Sequence, residues 1–162
     1  MSNAQVLINV DMFSDLKPGQ LEQIYKICKE AVYFQGEVIF KENTPSTEFY
    51  VILEGEVAIQ VNPNLITSAG QDYAAETIAV LYTGQSFGEV ALVDQGLRSA
   101  SAICHSTTCK TLIIKRDDLI QLLNHNPRMG FTVMMNLATD LCTKIRLSNL
   151  NLREGLLYLP KQ

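Results

Sequence analysis

Between Phe49 and Val61 the chain reads FYVILEGEVAIQV, and after the turn signal Glu54-Gly55 it places Val57, Ile59 and Val61 on one face, Ala58 and Gln60 on the other. A period of two commits a segment to a strand, because successive side chains of an extended backbone point to opposite sides. The turn signal between two such runs predicts a hairpin. Further strand-like runs are EVIFK after Gly36, ETIAVLY before Gly84, SASAIC and CKTLIIK, each bounded by Gly, Asn, Pro or Ser. Several short strands with long return connections predict an antiparallel sandwich or jelly roll.

On both sides of this zone the period becomes helical. In KPGQLEQIYKICKEA, Leu21, Ile24 and Cys28 recur at three- and four-residue spacing, and Pro18 suits a first helical turn. Later, RDDLIQLLNHNP predicts a short helix, and Asn126-Pro127 an N-cap and first turn for a longer one in which Val133, Leu137, Leu141 and Ile145 step by four. A helix from about Pro127 to about Asn151 is roughly 35 Å long, more than one small sandwich needs as cover. Its apolar stripe is expected either to pack in part against a second copy or to close the open end of the sandwich.

At 162 residues and 47% hydrophobic, the chain is long enough for one domain with a real core. A net charge of −4, with its basic residues scattered, argues against a nucleic-acid surface. Cys28, Cys104, Cys109 and Cys142 lack the spacing of a disulfide framework, which points to a reducing compartment. The N-terminus does not read as a signal peptide and the apolar runs are too short for a bilayer, so a cytoplasmic protein with no membrane partner is expected. Cys104, His105 and Cys109 lie close together, but strand alternation separates Cys104 from His105. With only His105 and His125, the histidine cluster of a cupin-type metal site cannot be assembled, and no Ser, His and acid set stands out as a nucleophilic triad. Lys144, Arg146 and Arg153 read as a solvated helix face.

The stretch FGEVALVDQGLRSASA, residues 87–102, sets Glu89 and Arg98 among small and apolar residues, where each charge needs a partner. Gly88 permits a tight turn, EVALVD suffices for a turn and a half of helix with outward amides, and Gly96 can end it in the left-handed conformation. Arg98 facing that helix start leaves two positive ends that call for an anion, and a phosphate suits a guanidinium fork. Ser99 can add a hydroxyl, while Glu89 can accept from sugar hydroxyls. Together they describe a ribose phosphate.

The same stretch resembles the phosphate-binding cassette of the cyclic nucleotide-binding domain family, F-G-E-x-A-L followed by a variable turn and an Arg before small residues. Phe87, Gly88, Glu89, Ala91, Leu92, Arg98 and Ala100 match it. Gly36, Gly55 and Gly84 sit at family turn positions, Leu97 replaces a common proline, and Asn43 replaces a common glycine in KENTPS.

The resemblance implies an α+β fold, an antiparallel β jelly-roll barrel with an N-terminal helix and C-terminal helices, as a single domain over 1–162. The helix is expected at about 12–30, the barrel at 31–116 with the cassette at 87–102, and the C-terminal helices at 117–157. It further implies a non-catalytic regulatory module without a cofactor or metal, whose ligand is cAMP, favoured, or cGMP, and whose C-terminal helix moves on binding. The expected ligand-binding residues are Phe87, Gly88, Glu89, Val90, Ala91, Arg98, Ser99 and Ala100. Arg98 would hold the cyclic phosphate, Glu89 the ribose 2′-hydroxyl, Gly88 and Ala100 would supply amides, and Ser99 a hydroxyl to phosphate or base. A base cap is implied near Thr143, Lys144, Arg146 and Leu147, or at Tyr158. Expected partners are the nucleotide, an effector protein and a second copy through the C-terminal helix. The alternatives are a dimerisation scaffold in which Glu89 and Arg98 pair internally, and a cupin-like metalloenzyme.

Overall fold

The computed structural model describes residues 3–63 and 74–157. Its strands are β1 (Cys28–Phe34), β2 (Val38–Phe40), β3 (Glu48–Glu54), β4 (Glu56–Val61), β5 (Glu76–Tyr82), β6 (Ser86–Phe87), β7 (Ser101–Cys104) and β8 (Thr108–Lys115). Helix α1 (Pro18–Ile27) precedes them, and α2 (Arg116–His125) and α3 (Pro127–Leu157) follow. Two four-stranded antiparallel sheets face each other in the orders β1-β8-β3-β6 and β2-β7-β4-β5, the layered arrangement of a jelly roll. None of the described helices is long and apolar enough to cross a membrane.

The expected hairpin at Gly55 is corrected, because β3 and β4 belong to different sheets. Each face of β3 buries apolar side chains: Phe49 and Val51 join a core shared with the helices, Tyr50 and Ile52 a second core between the sheets. Both edges of β3 are taken, by β8 and β6, while β4 pairs with β5 and β7, so no edge is left for β3 and β4 to pair with each other. The chain therefore crosses between sheets at Gly55, whose φ is +84°.

The helix expected at about 12–30 is also shorter. Asp11–Phe13 is a 3-10 turn, Pro18 opens α1, and β1 begins at Cys28. Residues 29–34 are claimed by β8, which pairs with β1 from Cys28↔Ile114 to Phe34↔Thr108. Leu21 and Ile24 do face the core as their spacing predicts.

At the other end, the carbonyl of Asn126 accepts the Gly130 N–H at 2.9 Å and so starts α3. Its side chain instead donates back to the Leu122 carbonyl at 3.2 Å, closing α2 rather than capping α3. Met129, Val133 and Leu137 are buried on their own chain, Leu141 packs at the edge, and Ile145 is 61% exposed. Asn136 ties the buried half of α3 to the carbonyls of Met12 and Ser14. The stripe thus first packs into the core beside the N-terminal turn and α2 and then leaves it, carrying α3 past the cassette.

Candidate functional site

Strand β6 ends at Phe87, and Gly88 takes φ +74° and turns the chain into a 3-10 turn, Glu89–Leu92. Ala91 and Leu92 bury themselves and pin this turn to the protein, leaving Val90 exposed. The turn is shorter than the turn and a half of α-helix expected, and four residues sum little dipole. Attraction for an anion must come mainly from side chains. Gly96 does not adopt the left-handed conformation; Asp94 accepts its N–H at 2.9 Å and shapes the return instead.

Arg98 is held by the KENTPS loop, with its N–H on the Thr44 carbonyl and its own carbonyl accepting the Asn43 N–H, both at 2.8 Å. Asn43 supports that loop at φ +61°, the left-handed position asparagine tolerates. Arg98 is 6% exposed, and its guanidinium lies over the Phe40 ring, 4.1 Å from the centroid. Nη1 donates to the Gly88 carbonyl at 3.3 Å and Nη2 to the Glu48 carbonyl, whereas buried Nε has no partner among the described residues. Burial pulls the pKa of Arg98 down, against the opposing pull of Tyr50 and Glu48. Tyr50 stacks on Phe87 at 5.1 Å and donates its hydroxyl to Glu48 at 3.1 Å; burial, then Glu48, pushes its pKa up and keeps that proton in place. Phe40 and Tyr50 escaped the sequence reading, since nothing local marks a core aromatic as a shelf for a cation.

Glu89, 5% exposed, does not pair with Arg98. Its partner is Lys144 of α3, which also holds Asp140 one turn earlier at 2.8 Å. Lys144 was expected on a solvated face; its side chain does stay 41% exposed, but its long stem carries the charge to Glu89. Burial disfavours the ammonium, but Glu89 and Asp140 outweigh it and raise the pKa of Lys144.

These groups enclose a cavity of about 380 Å³, within the range of small-molecule sites. Phe87, Gly88, Glu89, Val90, Arg98, Ser99 and Ala100 line it, whereas Ala91 faces the core. Ile59, Ala79 and Leu81 supply an apolar wall, and Lys144 is the lining residue from α3. Thr143, Arg146 and Leu147 are not lining residues, and Tyr158 lies outside the described residues. A cation that can fork onto two oxygens, a carboxylate beside it and an apolar wall can together receive a phosphate, a hydroxyl and a flat ring. Elsewhere, Cys104 and Cys109 are buried, His105 is exposed, and burial raises the Cys109 thiol to about 11. Among the described residues no group of His, Cys, Asp or Glu is placed to hold a metal ion.

The chain is similar in sequence and in fold to several known proteins. The chain is 30% identical over 141 residues to the cyclic AMP receptor protein of Thermus thermophilus, covering 87% of this chain and 60% of that protein. It is 31% identical over 121 residues to a cGMP-dependent protein kinase of Drosophila melanogaster, covering 74% of this chain and 12% of the kinase. The chain therefore spans less than two thirds of either relative. A crystallised cyclic nucleotide-binding domain from Methylobacillus flagellatus superimposes with a TM-score of 0.79 at 22% identity, covering 98% of this chain and 83% of that one, which shows the shared fold. Residues 30–126 match the family model described as cyclic nucleotide-binding domain, a span holding the whole cassette and both sheets except the first two residues of β1. With more than half its length inside that match, the chain belongs to the cyclic nucleotide-binding domain family.

Proposed function

We propose that this chain is a regulatory, non-catalytic module whose cavity binds a 3′,5′-cyclic nucleotide, with cAMP preferred over cGMP. One observation carries the reading: a buried guanidinium with an unpartnered Nε and a buried carboxylate line the same cavity. Arg98 takes the cyclic phosphate oxygens, using Nε and releasing one of its carbonyl contacts. Glu89 accepts the ribose 2′-hydroxyl, the amides of Gly88 and Ala100 complete the phosphate site, and Ser99 donates from the mouth. Phe87 and Val90 bound the site, and the base lies on Ile59, Ala79 and Leu81. The cAMP preference is supported by the more extensive match to the cyclic AMP receptor protein.

Output runs through α3, which contacts the cassette at Lys144 and extends past the core with Ile145, Leu147 and Leu150 exposed. That exposed stretch favours a second copy as the helix's partner, and its movement on ligand binding reaches an effector chain. A ligand moves the helix only by binding one arrangement better than the other.

Calorimetric titration and melting with each nucleotide test this proposal. At a hundredfold excess over Kd, a specific ligand contributes about 2.7 kcal/mol, which raises Tm on the order of 5–10 °C for a chain of this size. cAMP is expected to do so at lower concentration than cGMP. No heat and no shift with either nucleotide would leave the dimerisation scaffold as the better reading.

A further inference from the structure

Lys144 reaches the cassette across 55 positions of sequence to meet a carboxylate that is almost wholly buried. A buried charge stripped of its partner is costly, so a side chain that pairs with it also fixes where it points. Lys144 is itself held from behind, because Asp140 binds the same ammonium from one turn earlier on α3. The chain of contact thus runs from the helix, through Asp140 and Lys144, to Oε1 of Glu89. A carboxylate has two oxygens and accepts several hydrogen bonds. Engagement of Oε1 leaves Oε2 for whatever enters the cavity that Glu89 lines.

We infer that Lys144, anchored on Asp140, is a positioning residue that orients Glu89 for a ligand's ribose hydroxyl, and so makes recognition of that hydroxyl depend on α3 being docked. This rests on the reading of the cavity as a cyclic nucleotide site. Lys144 acts through Glu89, whereas Arg98 acts on the phosphate directly. Loss of the ammonium's general attraction for a monoanion weakens every cyclic nucleotide alike. Loss of its hold on Glu89 weakens only those with a 2′-hydroxyl.

The ratio of affinities for cAMP and 2′-deoxy-cAMP separates the two effects. Calorimetry on the wild-type chain should favour cAMP on the order of tenfold or more, the value of a hydrogen bond to a charged acceptor. In Lys144→Met that preference should collapse toward unity while 2′-deoxy-cAMP binding changes far less. Lys144→Arg, which keeps the charge and reach, should restore it, and Asp140→Asn should lower it in part without removing the Glu89 contact. A Lys144→Met chain that keeps the wild-type ratio overturns the inference, even if both affinities fall. So does a wild-type chain that binds both ligands equally, which leaves the phosphate role of Arg98 standing. If the wild type binds neither ligand, the cyclic nucleotide reading fails first and this inference with it.

Discussion

Arg98→Lys should lower cAMP affinity on the order of a hundredfold, about 3 kcal/mol, the value of a charge-assisted hydrogen-bonding arrangement lost from a buried site. Lysine keeps the unit charge but not the plane. Arg98 lies over Phe40 while two of its nitrogens hold the carbonyls of Gly88 and Glu48, leaving Nε buried and unpartnered among the described residues. An ammonium has one nitrogen for all these tasks and cannot stack in the same way. The same carbonyls lose a donor, so a modest fall in Tm is expected alongside. Titration calorimetry with melting of the same sample separates them: affinity should drop far more than stability. Affinity within threefold of wild type would remove Arg98 from the phosphate site.

Gly55→Ala should destabilise the whole fold by about 3 kcal/mol, from left-handed strain of roughly 1–2 kcal/mol and a steric cost of similar size. A Cβ at this position would lie 2.3 Å from the backbone carbonyl oxygen of Thr108 and 2.6 Å from Ser106 Oγ. Ser106 can rotate, although it would give up the Glu56 N–H it accepts at 2.9 Å. The Thr108 carbonyl belongs to β8 at the end of its ladder with β1, where Thr108 pairs with Phe34, and cannot retreat without disturbing that ladder. Urea denaturation checks this, with a lower midpoint and little change in slope as the expected result. A loss below 1 kcal/mol would show that the crossing between sheets tolerates a side chain.

Gly55 also marks the limit of what was legible beforehand. Alternation identifies β4 as a strand, yet it cannot say which strand lies beside it, and the turn signal reads the same for a hairpin and for a passage between sheets. The boundary of α1 was lost for a related reason: Cys28 continues the helical spacing, but pairing with Ile114, far along the chain, decides its conformation. The cassette was legible because its parts are local. Gly88, Glu89 and Arg98 sit within one turn and its return, and their residue types carry the chemistry. What completes the site arrives from a distance. Phe40 and Tyr50 come from two other strands, and Lys144 from a helix whose sequence shows only a charge at helical spacing. The α3 stripe was legible as a stripe, while the position at which it leaves the core is set by how far the N-terminal turn and α2 extend beside it.

Glu89 and Arg98 also bear on the scaffold alternative, which supposed that the two charges satisfy each other. Each has a different partner here: the carboxylate is held by Lys144, the guanidinium by two carbonyls and an aromatic face. Neither charge neutralises the other across the cavity, so an anion and a hydroxyl each retain a complementary group.

A crystal structure of this chain with cAMP tests the central claim most directly. The account requires the cyclic phosphate within hydrogen-bond distance of Arg98 Nε and one terminal nitrogen, with the 2′-hydroxyl on Glu89. Nucleotide bound elsewhere, or Arg98 still holding both carbonyls with no phosphate beside it at saturating cAMP, would contradict it.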